Sequence, residues 1–280
     1  MWVILVLIYG LLKGAREVCK KKSLEKNTVI EVLFFYTLFS FLLVLPNIAN
    51  LGCISIKLLS LIALKSLIIF LAWILSFHAI HAMPVSLYGI LDLSRVLFAT
   101  FLGISVLHEE MTIFRTIGLI LVASGLLLLK YRRNGKVSEH VRPAIVIVAI
   151  ASCMLNSLSG LMDKILMRSV TSSQLQFWYM LFLVIMYFVY VLISRSQTNF
   201  TSAVKNPWIW TMAILFVIAD KCLFIANGME ASKINVMTLI KQSGCIITIL
   251  AGKFIFREKN ITHKLVCAAI IITGIVIGTR

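Results

Sequence analysis

Several ionisable residues lie within long apolar stretches of this chain of 280 residues, where a charged side chain needs a partner or water, and five of them are candidates for a site. They are Lys65, Asp92, Arg95, Asp220 and Lys241. Burying an ionised side chain near the middle of a bilayer costs about 3 kcal/mol on insertion scales, so such residues usually face a cavity or one another. Because both signs of charge occur, we expect these five to line a wet cavity and to bind a charged or zwitterionic solute.

A local explanation is an equal alternative for Asp92 and Arg95, which lie three positions apart on one helix face and could neutralise each other. Asp220 and Lys221 are adjacent in the chain. Neighbouring side chains point about 100° apart on a helix. One of these two should therefore face a neighbouring helix instead of the cavity.

Two further polar sets could contribute to a site. His78 and His81 lie one helical turn apart, and Asn227 is equivalent to His78 in the repeat described below. Two histidines are too few ligands for a metal site. We expect His78 and Asn227 to form a polar gate or a proton-sensitive lining, with hydrogen-bonded buried histidines as the alternative. Glu17 and Asp163 could bind a proton or cation, although basic neighbours make local ion pairing at least an equal alternative.

We predict no catalytic residue, no metal and no cofactor. The segment His108-Glu109-Glu110 resembles a zinc-protease motif, but that motif needs a second histidine at position 112, which is Thr. The chain has no phosphate-binding Gly-Lys loop, so we do not expect it to hydrolyse ATP. The six cysteines are scattered and indicate neither disulfides nor a metal framework.

The composition is that of a membrane protein, with 60% hydrophobic residues and a mean hydropathy of +1.00. Only helices or closed barrels cross a bilayer with every backbone amide paired. The apolar stretches lack the alternation of barrel strands and therefore predict helices. The net charge of +16 comes largely from basic residues in short connectors, a pattern typical of cytoplasmic loops and not of nucleic-acid binding.

We therefore predict an all-α, polytopic membrane protein with ten transmembrane helices, arranged as two inverted repeats of five. The predicted spans are 2–19, 28–48, 58–80, 85–107, 113–130, 143–167, 174–193, 208–229, 234–256 and 261–279. The polar connector 131–142 separates the first unit, residues 1–130, from the second unit, residues 143–280.

The two units share a repeat in which identical residues recur 149 positions apart without a gap. The pairs are Ala82 and Ala231, Ser94 and Ser243, Gly103 and Gly252, Glu109 and Glu258, and Gly125 and Gly274. Asp92 and Lys241 are equivalent by the same offset. Five helices per unit is an odd number, so the second unit must be inverted in the membrane. This layout is typical of carriers whose site lies between the two halves.

Both units carry a motif that resembles the paired signature of EamA-type carriers of the drug/metabolite transporter superfamily. The motif comprises residues 107–112 with Gly118 and Gly125 in the first unit, and residues 256–259 with Gly274 in the second. His108 and Arg257 replace the glycine that usually precedes the motif glutamate. The resemblance implies ten helices around a central cavity and the export or exchange of small metabolites.

Within this motif we assign a structural role to Glu109 and Glu258. We predict that each carboxylate binds the backbone amides at the start of the next helix. Gly103 and Gly252 belong to the same structural motif.

The predicted function is transport of a small polar or zwitterionic metabolite, amino-acid-like or an amine, by alternating access in the cytoplasmic membrane. Asp92 and Asp220 are the candidates for an amine or a proton, and Arg95, Lys65 and Lys241 are the candidates for a carboxylate. The expected partners are the solute, protons as a coupling ion, the lipid bilayer and at most a second copy of the chain. A non-transporting scaffold and an intramembrane enzyme acting on lipid-linked substrates are the alternatives.

Two arguments on orientation disagree. Basic residues concentrate in the odd-numbered connectors, which by the positive-inside rule places these connectors in the cytoplasm and both termini outside. Relatives in the resembled family are generally described with both termini inside. We follow the charges.

Overall fold

The structure, a computed structural model, describes residues 2–50, 52–107, 112–130, 141–194, 200–229, 237, 240–258 and 261–278. Across these residues the chain forms α-helices and one short 3-10 helix, and no β-strand. The predicted all-α class is confirmed.

The described part of the first unit contains six α-helices. They are α1 (Trp2–Ser23), α2 (Val29–Val44), α3 (Ile56–Ala82), α4 (Val85–Asp92), α5 (Arg95–Leu107) and α6 (Ile113–Lys130). Helix α2 continues into the 3-10 helix Leu45–Asn50. A capping box starts α2, because the Thr28 hydroxyl accepts the Glu31 N–H while the Glu31 carboxylate accepts the Thr28 N–H.

The described part of the second unit contains six more α-helices. They are α7 (Pro143–Leu166), α8 (Ser172–Ser194), α9 (Phe200–Lys205), α10 (Pro207–Asn227), α11 (Gly244–Phe254) and α12 (Ile261–Gly278). Helices α7 and α10 each begin with a proline, whose missing N–H is not needed in the first turn.

Five helical segments are long and apolar enough to cross a membrane. They are Ile56–Ala82, Val85–Val106, Pro143–Leu166, Ser172–Ser194 and Pro207–Asn227. Four shorter apolar segments accompany them, namely Val29–Val44, Thr116–Leu128, Gly244–Phe254 and Ile261–Gly274. Leu127, Ile193 and Phe254 are among the large apolar side chains left exposed, as expected of a surface that faces lipid. These features describe a multi-pass membrane protein, and the count of ten spans stays a prediction.

The predicted fourth span is divided into two helices. Helix α4 ends at Asp92, residues 93–94 form a turn, and α5 begins at Arg95. In the second unit the same turn occurs over residues 242–243, immediately before α11. The two interruptions are 149 positions apart, so they repeat in register. At both turns, amides bond to carbonyls three residues back, which tightens the helix locally.

Helices that are equivalent by the repeat pack against each other in opposite directions. In α6 and α12, Gly118 lies beside Gly274, whereas Gly125 lies beside Cys267 and Ile271. The pairs Phe34 with Phe188 and Phe41 with Phe177 show the same antiparallel packing for α2 and α8. The pairs Ser86 with Gly252 and Gly89 with Thr248 place α4 antiparallel to α11, two helices that belong to the equivalent predicted spans 85–107 and 234–256. Antiparallel packing of equivalent helices is what inverted repeats predict.

Helices α1 and α11 approach each other backbone to backbone. A Cβ added at Gly14 would lie 2.5 Å from the carbonyl oxygen of Gly244, and one added at Gly244 would lie 2.5 Å from the carbonyl oxygen of Gly10. Gly10 and Gly14 form a small-xxx-small stripe, which allows close packing of membrane helices. A Cβ at Gly10 would also overlap the Ser243 hydroxyl, so the turn before α11 lies against α1.

An aromatic cluster joins α2, α3 and α10. The ring of Tyr36 lies 5.2 Å from that of Trp73 and 5.3 Å from that of Phe216, and Trp73 and Phe216 meet edge to face at 5.3 Å. Such contacts have a preferred geometry and restrict the positions of the rings. The cluster therefore positions Trp73 and Phe216, which also line the cavity described next.

Candidate functional site

A cavity of about 290 Å³ lies between α1, α3, α5, α7 and α10. Its wall combines charged side chains with aromatic and small residues. Tyr9, Lys13 and Arg16 line it from α1, and their spacing of four and three places them on one helix face. The volume is near the lower end of the range for small-molecule sites.

The cavity extends from the middle of the bundle towards one end. It is lined by the middle parts of α1 and α3, the first parts of α5 and α6, and the last parts of α7 and α10. We call this end of the bundle the cavity end. The opposite end contains the last turns of α1 and α3 and the first turns of α4 and α12, and we call it the sealed end.

At the sealed end, Lys21 joins α1 to the end of α3. Its Nζ donates hydrogen bonds to the carbonyl oxygens of Ile80, His81 and Met83 at 2.7, 2.8 and 2.9 Å. The last carbonyls of a helix have no partner within the helix, and a lysine near the C-terminus satisfies them favourably. These bonds hold the two helices together at this end.

Glu258 also belongs to the sealed end, and its partners correct the sequence prediction. Its carboxylate accepts hydrogen bonds from the N–H of Val85 at 2.7 Å, the N–H of Ser86 at 3.4 Å and the Ser86 hydroxyl. Lys264 Nζ lies 2.9 Å from the same carboxylate. Among the described residues, Glu258 thus binds the backbone amides at the start of α4 in the other unit, and it contacts α12 through the Lys264 side chain and not through backbone amides. A Cβ at Gly252 would lie 2.9 Å from a Glu258 oxygen, so glycine makes room for the carboxylate.

Arg257 occupies the motif position where glycine is usual, and its backbone φ is +51°. This left-handed region is unfavourable for residues with a Cβ and readily accessible to glycine. The conformation explains why the motif favours glycine there. The equivalent glutamate of the first unit, Glu109, lies outside the described residues.

Asp92 is 6% exposed and lies between two basic side chains. Lys13 Nζ donates to one carboxylate oxygen at 2.5 Å, and Arg95 Nε lies 2.5 Å from the other. The local ion pair between Asp92 and Arg95 is therefore present, and it spans the helix interruption. Lys13 and Arg95 line the cavity, whereas Asp92 lies behind them beside α11.

Lys65 is 1% exposed and pairs with Asp163 of α7. Its Nζ lies 2.7 Å from an Asp163 oxygen and 3.9 Å from the centre of the Tyr179 ring. Asp163 thus pairs across to another helix, whereas Glu17 pairs locally with Lys20 at 2.6 Å. Lys65 and Asp163 both line the cavity, and each neutralises the other.

Asp220 lines the cavity and accepts a hydrogen bond from the Tyr179 hydroxyl. The adjacent Lys221 points away, and its Nζ donates to the Ser173 hydroxyl of α8 at 2.8 Å. The two side chains diverge, as their adjacency on a helix requires.

Arg16 and Lys241 line the same cavity next to aromatic rings. The Arg16 guanidinium lies 5.0 Å from the centre of the Phe216 ring, and Lys241 Nζ lies 6.0 Å from that of Tyr9. Arg16 Nη1 is buried without a hydrogen-bond partner. These two groups are cations that an incoming solute can contact.

His78 and Asn227, equivalent by the repeat, lie at opposite ends of the bundle. His78 is exposed on the last turns of α3, towards the sealed end, and is not among the residues that line the cavity. Asn227 lines the cavity at the end of α10. Gly103 lines it from α5.

Several lining residues had not been identified from the sequence as site residues. They are Tyr9, Lys13, Arg16, Tyr179 and Phe216. The signal for the first three was the four-and-three spacing on α1, within an otherwise apolar helix. Asp163 had been recognised as ionisable within a span, but its partner on α3 could not be inferred from its neighbours.

Among the described residues, no three His, Cys, Asp or Glu side chains come together as a metal site requires. The cavity instead presents ammonium and guanidinium groups, a tyrosine-bound carboxylate and aromatic faces. Groups of this kind can bind the charged and apolar parts of a small organic solute without covalent chemistry.

The comparison with protein families confirms the resemblance seen in the sequence. Residues 1–131, somewhat less than half of the chain, match the model of the EamA-like transporter family. This match covers α1 to α6 and, with the apolar helices, indicates a multi-pass membrane transporter. A search of curated proteins finds no match.

The fold is also found among solved structures, of which 27 chains match. One crystal structure of a protein superposes with a TM-score of 0.65, covering 99% of this chain and 95% of its own. The two sequences are 13% identical, so the similarity shows the fold alone.

Proposed function

We propose that this chain, whose first half matches the EamA-like transporter family, carries a small polar or zwitterionic metabolite across the cytoplasmic membrane by alternating access. The observation that supports this function best is a charged cavity at one end of the bundle and a closed network at the other. A carrier needs this one-sided arrangement, because its site must never be open to both sides at once.

The repeat supplies a route to the opposite state. Residues 1–130 and 143–280 form two inverted five-helix units in this proposal, and two pairs of equivalent helices, α2 with α8 and α6 with α12, pack antiparallel. Exchanging the conformations of two inverted units exchanges the two ends of the bundle. The sealed end would then open, and the cavity end would close.

The charged residues divide into binding and positioning roles. Lys241 lines the cavity as the partner for a carboxylate, and Asp220 is the partner for an amine. Lys65 and Arg95 also line the cavity, and each is held in place by a carboxylate of the protein. Asp92 contributes indirectly, since it holds Lys13 and Arg95 at the helix interruption.

The orientation of the protein in the membrane follows, in this proposal, from its charges. The basic residues at the end of α1 and the start of α12 belong to the sealed end. The positive-inside rule places this end in the cytoplasm, so the cavity faces the other side. Export or exchange requires the cytoplasmic end to open in turn.

Gly160 offers a sharp test, because a Cβ added there meets nothing within 4 Å and the residue lines the cavity. Gly160→Trp should fill the cavity without disturbing helix packing. Met154→Trp, at an exposed position of the same helix, is the matched control.

The measurement is uptake of labelled amino acids and amines by liposomes that contain the purified protein. We expect uptake by the wild type and by Met154→Trp, and its loss in Gly160→Trp at an unchanged melting temperature. Failure of the wild type to move any of these solutes would favour the non-transporting scaffold. Unchanged uptake by Gly160→Trp would exclude this cavity as the route.

A further inference from the structure

The balance of charge around the cavity indicates which class of solute it binds, an inference that rests on the proposed carrier function. The described lining residues include six basic and two acidic side chains. They are Lys13, Arg16, Lys65, Arg95, Lys164 and Lys241, and Asp163 and Asp220. Asp92, just behind the wall, reduces the excess of positive charge without removing it.

Three of the basic groups already have carboxylate partners. Lys13 and Arg95 share Asp92, and Lys65 is paired with Asp163. Each of these groups is compensated within the protein. A solute gains little by competing for them, because it would leave a buried carboxylate without its partner.

Arg16 and Lys241 differ from these three, since the ion pairs among the described residues include neither of them. Arg16 lines the cavity, and its Nη1 is buried and lacks a hydrogen-bond partner, so one donor of this guanidinium is unsatisfied. A guanidinium donates paired hydrogen bonds that match a carboxylate or phosphate. A buried donor without an acceptor is unfavourable until a ligand oxygen satisfies it.

The two acidic side chains of the wall can bind a cationic solute much less well than Arg16 and Lys241 can bind an anion. Asp163 is occupied by Lys65, and Asp220 accepts the Tyr179 hydroxyl. A diamine entering the cavity would meet an excess of positive charge and carboxylates that are already bonded. Like charges brought together in a site of low dielectric repel strongly.

We propose that the transported solute is an organic anion, whose carboxylate or phosphate binds Arg16 and Lys241. The rings of Phe216 and Tyr9, which lie beside these two cations, contact the apolar body of the solute. The excess positive charge of the wall excludes cationic amines. Within the range of polar and zwitterionic metabolites, the cavity thus selects those with net negative charge.

Three probes with the same four-carbon chain isolate the effect of charge, namely succinate, 4-aminobutyrate and putrescine. The purified protein in lipid nanodiscs is melted with increasing concentrations of each probe. A ligand that binds only the folded state raises the melting temperature by an amount that grows with the ratio of its concentration to its Kd. We expect succinate to stabilise the protein most and putrescine least.

The variants Arg16→Gln and Lys241→Gln should each weaken the apparent affinity for succinate by about tenfold or more, the usual scale for losing a charge-assisted contact. Lys57→Gln, at an exposed position of α3, removes one positive charge outside the cavity and should retain the wild-type response. If either glutamine variant fails to fold, the succinate titration is made instead with Arg16→Lys or Lys241→Arg, each of which preserves the charge.

Stabilisation by putrescine or 4-aminobutyrate equal to that by succinate would overturn the proposal. So would the absence of any response of the wild type to succinate, or an unchanged response in both Arg16 and Lys241 variants. Uptake of the same probes into liposomes separates the two proposals. If succinate binds at these residues and no probe crosses, the carrier function fails and the anion site stands. If putrescine crosses and succinate does not, the carrier function stands and the anion site fails.

Discussion

The sealed end and the cavity end are built from repeat-related helices, yet different interactions occupy them. At the sealed end, charged side chains bind backbone groups at helix termini, as Lys21 does for α3 and Glu258 does for α4. At the cavity end, the charged side chains bind one another or an aromatic ring. The difference between the ends therefore lies in a few side-chain contacts, while the helices that carry them follow one plan.

This comparison indicates where the stability of the observed state resides. Removing the contacts that close the sealed end should lower the free energy of unfolding substantially, because these contacts satisfy buried backbone groups. Substituting polar residues of the cavity wall that have no partner in the protein should change the free energy of unfolding little, because they are arranged for a solute. Four substitutions test this difference.

The largest effect is expected from Glu258→Ala. The substitution removes the acceptor for Val85 and Ser86 and the carboxylate that faces Lys264, in a pair whose side chains are 6% and 9% exposed. Removing one partner of a buried ion pair costs about 3–5 kcal/mol. Thermal unfolding should show a loss of this order. Lys253→Gln, at an exposed position of α11, is the control, and an equal loss in both variants would contradict the assignment.

Gly14→Ala should destabilise the crossing of α1 and α11 by about 1–3 kcal/mol, the usual range for overpacking. The new Cβ would lie 2.5 Å from the carbonyl oxygen of Gly244, a backbone atom that cannot move aside. Gly160→Ala is the matched substitution, because its Cβ meets open space and alanine favours a helix. In chemical or thermal unfolding, the stability of Gly14→Ala should fall below that of the wild type and the stability of Gly160→Ala should rise above it. Equal melting points would mean that the crossing is looser than observed.

Arg257→Gly should stabilise the sealed end by about 1 kcal/mol or somewhat more, because an L-residue in the left-handed region costs about 1–2 kcal/mol. The side chain of Arg257 is exposed, so its loss removes no buried contact. A higher melting temperature for this variant is the expected result. A lower one would show that the side chain stabilises the closed network.

The smallest effect is expected from Asn227→Ala at the cavity end. Asn227 lines the cavity, and a substitution away from packed or paired groups usually changes stability by less than about 0.5 kcal/mol. The melting temperature should match the wild type. A loss comparable to that of Glu258→Ala would remove the energetic distinction between the two ends.

The sequence allowed the helical class, the family and most of the helices to be predicted, because apolar length and a repeat in register are strong signals. Predicted spans 58–80, 113–130 and 143–167 correspond to Ile56–Ala82, Ile113–Lys130 and Pro143–Leu166. The charges within spans also led to residues that line the cavity, such as Lys65 and Asp220.

The interruptions of two helices and the partners of Glu258 were not predicted, for a common reason. Ser94 and Ser243 matched in the repeat, but a serine in an apolar helix does not by itself indicate a turn. Glu258 was assigned to its neighbours in the chain, whereas packing brings it to Val85, far away in sequence. Periodicity describes one helix at a time, and both features depend on how helices meet.

The bare crossing of α1 and α11 has a mechanical consequence. The two backbones meet directly at Gly14 and Gly244, so this contact is the point about which α11 would pivot if it tilted. From Gly244 to Phe254 the helix is a lever about 15 Å long, and a tilt of about 10° moves its far tip by about 3 Å. This displacement is roughly the length of one hydrogen bond. It is therefore large enough to make or break the bonds between Glu258 and the backbone amides at the start of α4.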